Sequence, residues 1–507
     1  MEYIFFDNLS FIGLHMFTTH LLSFYRPLVK YPMLFTCVVL PLQSYAEENI
    51  SATQSSTVEM ANSSTTNSNL PKVMDKKASI EYLKNNPEEM EKTLSYLIFR
   101  QDADALRDLI PVYAQYPQRD ESVVEWGKGI IAMKEGRVVD AIHLFRKVNA
   151  VLPNIRLLRF QLAYALYQDK QYKAAKNELE KLRSSLTDPK EIESVNQYIR
   201  AVDSNERWVF DFSFSFLNDD NLTNASAVGT TLTNGNVSLV NTQPHEEGKG
   251  IGYGIGANKK WLINDRYYVP LHSNIYGKYY WDNHKFNEVN ANVGLGIGYQ
   301  NATTELELYP SLTQEWYGGG VSREENKGEL EKYYQNKALN FSYNHWVTPK
   351  LMYQNFSQLA QLRYEDAYDV NDMNSKLFSN SLVYLPKQTR SLTGSIDYIK
   401  GDNDKGYEGD SYDRVGIRLG WGEAWNHGIS TRLSMGYAQR DYDAPQDFIG
   451  IQRKNKEYDL GLSLWKRDLT LFKLTPRLSW NYHKVKSNSA FEEYSKNNLN
   501  LELTQTF

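Results

Sequence analysis

Residues 208–216 read WVFDFSFSF, and this stretch decides the fold of the C-terminal part of the chain. Aromatic side chains occupy every second position, and Val, Asp or Ser stands between them. Because successive side chains of a β-strand point to opposite faces, one face of this segment is apolar and the other is polar. The same alternation recurs at residues 251–258, 293–299 and 472–483, where glycines or charged residues fill the second face. The pattern therefore predicts strands with one lipid-like face.

The number, length and ending of these segments distinguish a membrane barrel from a soluble sandwich, which alternates in the same way. Roughly fourteen segments follow residue 206, many of about 10–15 residues, whereas sandwich strands average about 5–6 residues. The last segment carries Leu499, Leu501 and Leu503 and ends on the aromatic Phe507. This ending is typical of the signal for the bacterial barrel-assembly machinery. Residues 206–507 are predicted to form an antiparallel transmembrane β-barrel of about 14 strands.

The predicted connections alternate in length. Asn264-Asp265 and Asn301-Ala302 predict tight turns. The predicted long polar loops cover residues 218–248, 318–331, 365–374 and 441–455. Since short turns of such barrels usually face the periplasm and long loops the exterior, the first long loop is expected outside the cell.

Composition narrows the class of protein further. The net charge of -5 and pI near 6.1 argue against a nucleic-acid-binding protein. Mean hydropathy is -0.56, which excludes a bundle of transmembrane helices. The aromatic content of 13%, with 36 Tyr, suits the interfacial girdles of a barrel and also a tyrosine-rich soluble β-protein. The single cysteine, Cys37, lies in the predicted leader, so disulfides and thiolate chemistry are excluded from the mature chain.

Residues 80–205 change to a helical period. A tetratricopeptide (TPR) repeat has two small residues, an aromatic residue and a proline at fixed positions. Gly129, Ala141, Phe145 and Pro153 match these four positions. Ala163, Ala175 and Leu179 lie 34 residues after the first three. Small residues let two helices cross closely, and the proline ends a helix. The sequence predicts a TPR-like solenoid whose concave face binds an extended peptide or a partner protein. A plain helical spacer is the alternative.

The N-terminal part is predicted to be a targeting segment and a tether. Residues 25–46 place two basic residues before a short apolar run and small residues before Ala46, which predicts a signal peptide over 1–46 cleaved after Ala46. The first fifteen residues are unusual for a leader, so Met16 is an alternative start. A membrane anchor is a second alternative. Residues 47–79 are rich in Ser, Thr and Asn, which predicts a disordered tether.

The inward face of the predicted barrel carries both signs of charge. The residues are Asp211, Glu305, Asp397, Arg414, Arg418, Arg432, Asp459, Lys473 and Arg477. We expect opposite charges to pair across the lumen and keep it narrow or gated. The histidines are scattered without metal-ligand spacing, and the glycine-rich strands lack the helix that follows a phosphate loop. The sequence therefore predicts no enzyme, no metal and no cofactor.

Several stretches carry a family resemblance. They are YDRVGIRLGWGEAW (412–425), KEYDLGLSLWKRDLTLFKLTPRLSW (456–480), SNSAFEEYSKN (487–497), LELTQTF (501–507), NDDNLTNAS (218–226) and ANKKW (257–261). In these stretches the barrel resembles the surface lipoprotein assembly modulators, or Slam proteins, and the preceding repeats match that family's layout. The resemblance covers the whole barrel, and the long C-terminal stretch is its specific part.

The resemblance implies a translocator of the outer membrane, within the type XI secretion system, with its TPR-like domain in the periplasm. Expected partners are a client lipoprotein or secreted haemophore-like protein with a C-terminal β-barrel domain, periplasmic chaperones, the barrel-assembly machinery and the lipid bilayer. An exopolysaccharide export pore with TPR repeats is the main alternative, although its lumen would carry one dominant charge sign. A passive porin is the third possibility, and it leaves the helical repeats unexplained.

Overall fold

The computed structural model describes most of the chain beyond residue 75. The described residues are 76–234, 237–242, 244–319, 328–348, 350–387, 389–446, 450–466, 469 and 474–506, together with 15–16 and 33–34. His15–Met16 pairs antiparallel with Met33–Leu34. Four residues singled out above, Cys37, Ala46, Lys473 and Phe507, lie outside the described residues, as do the predicted cleavage site and most of the predicted tether.

Eight helices precede the barrel in the described chain, and the first begins before the predicted boundary at residue 80. They are α1 Lys76–Lys84, α2 Pro87–Arg100, α3 Ala103–Tyr113, α4 Glu121–Lys134, α5 Val138–Val151, α6 Arg156–Gln168, α7 Tyr172–Ser184 and α8 Pro189–Ser204. The side chains of Asp102, Asp120 and Asp188 cap the first backbone N–H groups of α3, α4 and α8. No helix among the described residues is long and apolar enough to cross a membrane.

The TPR positions lie where the helices cross. A Cβ on Gly129 of α4 would meet the Phe145 ring of α5 at 2.4 Å, so only glycine lets the two helices approach this closely. Ala141, Ala163 and Ala175 are buried in the same core. Pro153 follows the end of α5 in the turn toward α6. Leu179 of α7 is also buried in this core, which runs without a break from α2 to α8.

Fourteen barrel strands follow the helices in the described part of the chain. They are β1 Val209–Asp219, β2 Gly248–Leu262, β3 Tyr267–Tyr280, β4 in two parts (Glu288–Leu295 and Ile297–Gln300), β5 Thr304–Tyr317, β6 Glu331–Thr348, β7 Leu351–Tyr364, β8 Met373–Lys387, β9 Arg390–Asn403, β10 Tyr412–Ala424, β11 Ile429–Pro445, β12 Gln452–Lys466, β13 Thr475–Ser487 and β14 Tyr494–Thr506. Each strand pairs antiparallel with the next, and β14 pairs with β1. The predicted closed barrel of 14 strands is confirmed.

The connections fall into two groups at opposite ends of the barrel. Residues 263–266 and 301–303 form two of the tight turns at the end that we call the short-turn end. The opposite, long-loop end carries residues 220–247, which include a hairpin of Thr231–Asn234 and Val237–Val240. The loop predicted over 441–455 is shorter than expected. Its sequence is polar, but β11 continues to Pro445 and β12 begins at Gln452, because both strands extend their ladder beyond the apolar belt.

The barrel is apolar outside and polar inside. Trp208 and the phenylalanines of β1 are about two-fifths exposed, and Ile396 and Leu419 at mid-strand are 58% exposed. The alternate positions point inward, among them Glu457, whose side chain is fully buried. An outer belt of large apolar side chains is stable only against lipid. The alternation in WVFDFSFSF therefore has the orientation that its sequence predicts.

Candidate functional site at the junction of helices and barrel

The turn between α6 and α7 contacts the short-turn end of the barrel. Asp169, which follows α6, is completely buried and receives two hydrogen bonds from the Arg266 guanidinium, at 2.9 and 2.5 Å. The same carboxylate accepts a hydrogen bond from the backbone N–H of Ala302 at 3.1 Å. Arg266 lies in the β2–β3 turn and Ala302 in the β4–β5 turn. One helical-domain carboxylate therefore holds two barrel turns.

Lys170 and its neighbours extend this contact. Lys170 has φ 58°, the left-handed conformation that ends many helices, and its N–H donates to the Tyr167 carbonyl while that of Gln171 donates to Leu166. This helix ending directs the Lys170 amine to Glu305 of β5, at 3.3 Å. Further hydrogen bonds tie α7 to the end of β2 and to the β2–β3 turn. They run from Lys173 to the Leu262 carbonyl at 2.9 Å and from the Ala174 N–H to Asp265 at 3.2 Å.

Three tyrosines near this turn pack within the domain and at the junction. Tyr164, Tyr167 and Tyr172 are candidates either for a concave groove or for helix packing. Tyr167 and Tyr172 meet edge to face at 5.7 Å, and Tyr167 is 9% exposed. Burial raises the pKa of the Tyr172 hydroxyl well above its ordinary value. Tyr167 and Tyr172 therefore pack at the docked turn, whereas Tyr164 is half-buried beside a small cavity between the helices.

A polar network fills the lumen beside the docked turn. Glu305 and Glu307 point inward from β5, and the Tyr268 hydroxyl donates to both, at 3.0 and 2.8 Å. Lys260 of β2 pairs with Glu305, and His272 Nε2 lies 2.9 Å from Glu307. Because Glu305 also receives Lys170, this lumen network continues into the helical domain.

Other predicted lumen residues form pairs along the barrel wall. Arg418 donates to Asp397 at 2.7 Å, and Ser379 donates to the same carboxylate at 2.6 Å. Arg414 lies 2.8 Å from Glu457, and Arg440 of β11 lies 3.0 Å from it. Arg414 therefore lies at one carboxylate oxygen of Glu457 and Arg440 at the other. These pairs join strands that are close in barrel order.

The remaining predicted lumen residues have other partners. Asp459 lies 2.6 Å from His483 Nδ1, and Asp211 accepts from the Asn258 amide at 3.1 Å. Arg432 and Arg477 both lie over the Trp465 ring, at 5.8 and 4.4 Å from its centroid. The gating role predicted for these charges stays a prediction.

A buried tyrosine cluster lies at the long-loop end of the barrel. Its tyrosines are Tyr280, Tyr317, Tyr333, Tyr334, Tyr364, Tyr368, Tyr412 and Tyr442, each at most 8% exposed. Tyr333 packs edge to face against Tyr364 and Tyr368, with ring centroids 5.3 and 5.2 Å away. From composition alone, the high tyrosine content suits girdles at the membrane interfaces and also a tyrosine-rich soluble β-protein. In the structure these tyrosines lie buried on the inner side of the barrel wall or, for Tyr368, in the loop between β7 and β8.

Sequence reasoning missed several residues of the junction and lumen. Asp169, Arg266 and Lys260 carry no local signal, because their partners are distant in sequence; Asp169 and Arg266 are 97 positions apart. Glu457 could have been found, since it precedes the predicted Asp459 by two positions on one strand face. The described residues contain no group of three His, Cys, Asp or Glu side chains placed to hold a metal ion.

The fold and site define a class. A closed barrel with an apolar belt is an integral outer-membrane protein, and the short-turn end that holds the helices faces the periplasm. The chain belongs to the surface lipoprotein assembly modifier family. The model of that family matches residues 208–507, and the model of its N-terminal TPR repeats matches residues 76–179. The resemblance found in the sequence is thereby confirmed.

Relatives from several bacteria share most of the chain. Surface lipoprotein assembly modifier 1 of Haemophilus influenzae is 34% identical over 84% of this chain and 86% of its own length. The surface lipoprotein assembly modifier of Pasteurella multocida is 32% identical over 85% of each chain. The hemophilin secretion modulator of Acinetobacter baumannii is 22% identical over 84% of this chain and 87% of its own.

Proposed function

We propose that this protein moves surface lipoproteins, or secreted proteins of the hemophilin kind, from the periplasm to the cell surface. The names of its relatives support both client types. The observation that carries the mechanism is the docking of Asp169 and Lys170 onto the barrel turns and onto Glu305. A domain that binds a client beneath the pore and also contacts the lumen network can couple binding to opening.

The rest of the chain fits this proposal as follows. Residues 1–46 direct export and are removed after Ala46, and the following residues tether the mature N-terminus. The helical solenoid engages the client or its periplasmic chaperone, and the final strand with Phe507 directs insertion by the barrel-assembly machinery. The lumen ion pairs keep the resting barrel closed. No bond-making step and no cofactor are part of the proposal.

The two alternatives receive less support. A passive porin needs an open lumen, whereas the tyrosine cluster and the pairs around Glu457 occupy the long-loop end. A polysaccharide pore is expected to carry one dominant charge sign, whereas this lumen pairs acids with bases. The relatives' names concern lipoprotein assembly and protein secretion.

Surface display in a laboratory Gram-negative host tests the proposal. The chain is co-expressed with an epitope-tagged copy of the lipoprotein or secreted protein encoded beside it, and intact cells are probed with antibody and protease. Arg266→Asp places two carboxylates together and is expected to lower display at least tenfold. The charge exchange D169R/R266D restores the pair and is expected to recover most of the display.

Arg137→Asp is the matched control, because Arg137 pairs with Glu135 and Asp140 on the exposed side of the helices. Its display is expected to equal that of the parent. If the tagged protein stays periplasmic while the parent barrel is correctly inserted, protein translocation of this client is contradicted and polysaccharide export gains weight. Equal display by R266D and the parent would remove the docked turn from the mechanism.

A further inference from the structure

The closing seam between β14 and β1 differs from the ladders beside it. β14 pairs with β1 only over residues 501–506, opposite 211–216, which gives six register pairs. β13 pairs with β14, and β1 with β2, through eleven register pairs each. Residues 494–500 of β14 therefore extend beyond the ladder with β1, toward the long-loop end.

Side chains hold this upper part of the seam together. The Lys496 amine lies 3.0 Å from Asp219, and both side chains are largely buried. Above them, Leu232 of the loop hairpin packs with Phe491, which lies between β13 and β14. Leu239 packs against the same small cluster. An ion pair and one apolar loop contact can separate without breaking any rung of the ladder below.

The extended part of β14 has the chemistry of a docking edge. Backbone groups of a strand at membrane level require hydrogen-bond partners, and an extended polypeptide supplies them by adding a strand. On this part, the Oδ1 atom of Asn498 is buried without a hydrogen-bond partner among the described residues. Straight passage through the lumen would displace the tyrosine cluster and the arginines around Glu457, whereas the seam needs only the release of its loop contact and of Lys496.

We propose that residues 494–500 of β14 form the docking edge for an extended, strand-forming segment of the transported protein. The edge becomes accessible when Lys496 leaves Asp219 and Leu232 leaves Phe491. This proposal rests on the proposed function and adds the route. Backbone hydrogen bonds carry little side-chain specificity, so the edge pairs with different extended segments and leaves client selection to the helical domain.

A reversible crosslink tests whether the seam opens. In a Cys37→Ser background, L232C/F491C places cysteines on the two side chains that pack together above the seam, and S381C/S395C places them on register partners of β8 and β9 as the matched control. A bis-maleimide that dithiothreitol cleaves bridges each pair after barrel assembly, and the probe is the tagged protein of the display assay. The bridge is expected to lower new surface display at least tenfold for L232C/F491C alone, and dithiothreitol is expected to restore it. Undiminished display by the bridged seam would overturn the proposal.

A photocrosslinker tests the docking edge itself. It replaces Asn498 or, as the control, Asn481, which is the register partner of Asn498 on β13 and faces the same lumen. Crosslinking of an arrested tagged protein at position 498 but not at 481 is expected. Equal crosslinking would show lumen passage and overturn the proposal while the translocator function stands. A parent chain that displays nothing contradicts the function itself, before any variant is made.

Discussion

The helical domain and the barrel place their apolar side chains in opposite directions. Leu94 and Leu158 of the helices are fully buried in a continuous core, whereas Leu419 and Ile396 of the barrel are 58% exposed on its outer wall. Charges are reversed in the same way. Glu135 lies at the helical surface, and Glu457 is fully buried in the lumen. In both regions apolar side chains avoid water and charged side chains avoid an apolar surrounding, but water surrounds the helical domain and lipid surrounds the barrel.

The comparison also shows what joins the regions. Asp169 and Lys170 leave the water-facing surface of the helices and enter a polar cluster made by barrel turns and by Glu305. A polar contact suits a joint that separates and reforms, because released charges are hydrated again. An apolar contact of equal size would expose surface that aggregates.

The largest effect is expected for the buried lumen charge. Glu457→Ala leaves Arg414 and Arg440 close together without their carboxylate, and breaking such a buried group typically costs about 3–5 kcal/mol. Urea unfolding of the protein in lipid vesicles, followed by tryptophan fluorescence, measures the change. Glu329→Ala, in an exposed loop, is the control and should unfold like the parent. Equal unfolding of the two variants would show that water in the lumen screens these charges, so that loss of the ion pairs costs little stability.

A pair of leucine truncations sharpens the comparison next. Leu94→Ala opens a cavity in the helical core and is expected to cost about 2–5 kcal/mol, measured as faster hydrogen exchange in α2 and α3. Leu419→Ala removes the same atoms from the lipid-facing wall, where lipid chains fill the space. Its expected cost is about 1 kcal/mol or less. Similar losses at both sites would mean that the belt is packed like a protein interior.

A charge placed in the apolar belt tests the lipid-facing surface of the barrel. Ile396→Arg places a guanidinium at mid-strand on β9, where arginine at the bilayer centre costs about 2–4 kcal/mol. Unfolding from vesicles measures the loss. Tyr407→Arg carries the same charge in a loop at the long-loop end and should be nearly neutral. Full stability of Ile396→Arg would indicate that this face of β9 contacts something other than lipid.

Local sequence patterns predicted the helices and strands. They could not predict which distant side chains pair, because that depends on strand register and on domain docking. WVFDFSFSF fixed a strand and its outward face because alternation is a property of the strand alone. Gly129 and Phe145 indicated a close helix crossing because the repeat has a fixed spacing. The meeting of Lys260 with Glu305, or of Asp169 with Arg266, depends on strand register and on how two domains dock. Neither leaves a trace in the hydropathy of either segment.

The smallest effect is expected for Glu135 at the helical surface, which is the exposed counterpart of the buried Glu457. The Arg137 guanidinium, by hydrogen bonding and by its charge, holds the pKa of Glu135 below its ordinary value. A lowered pKa contributes stability above the ordinary carboxyl value, and this contribution is lost as pH falls through the lowered one. Glu135→Gln should therefore loosen α4 slightly at neutral pH, and the difference should vanish in acid. Hydrogen exchange of α4 at both pH values checks this, with Glu88→Gln as the control because Glu88 is also exposed on a helix. A loss as large as that of Glu457→Ala would contradict the view that water screens this pair.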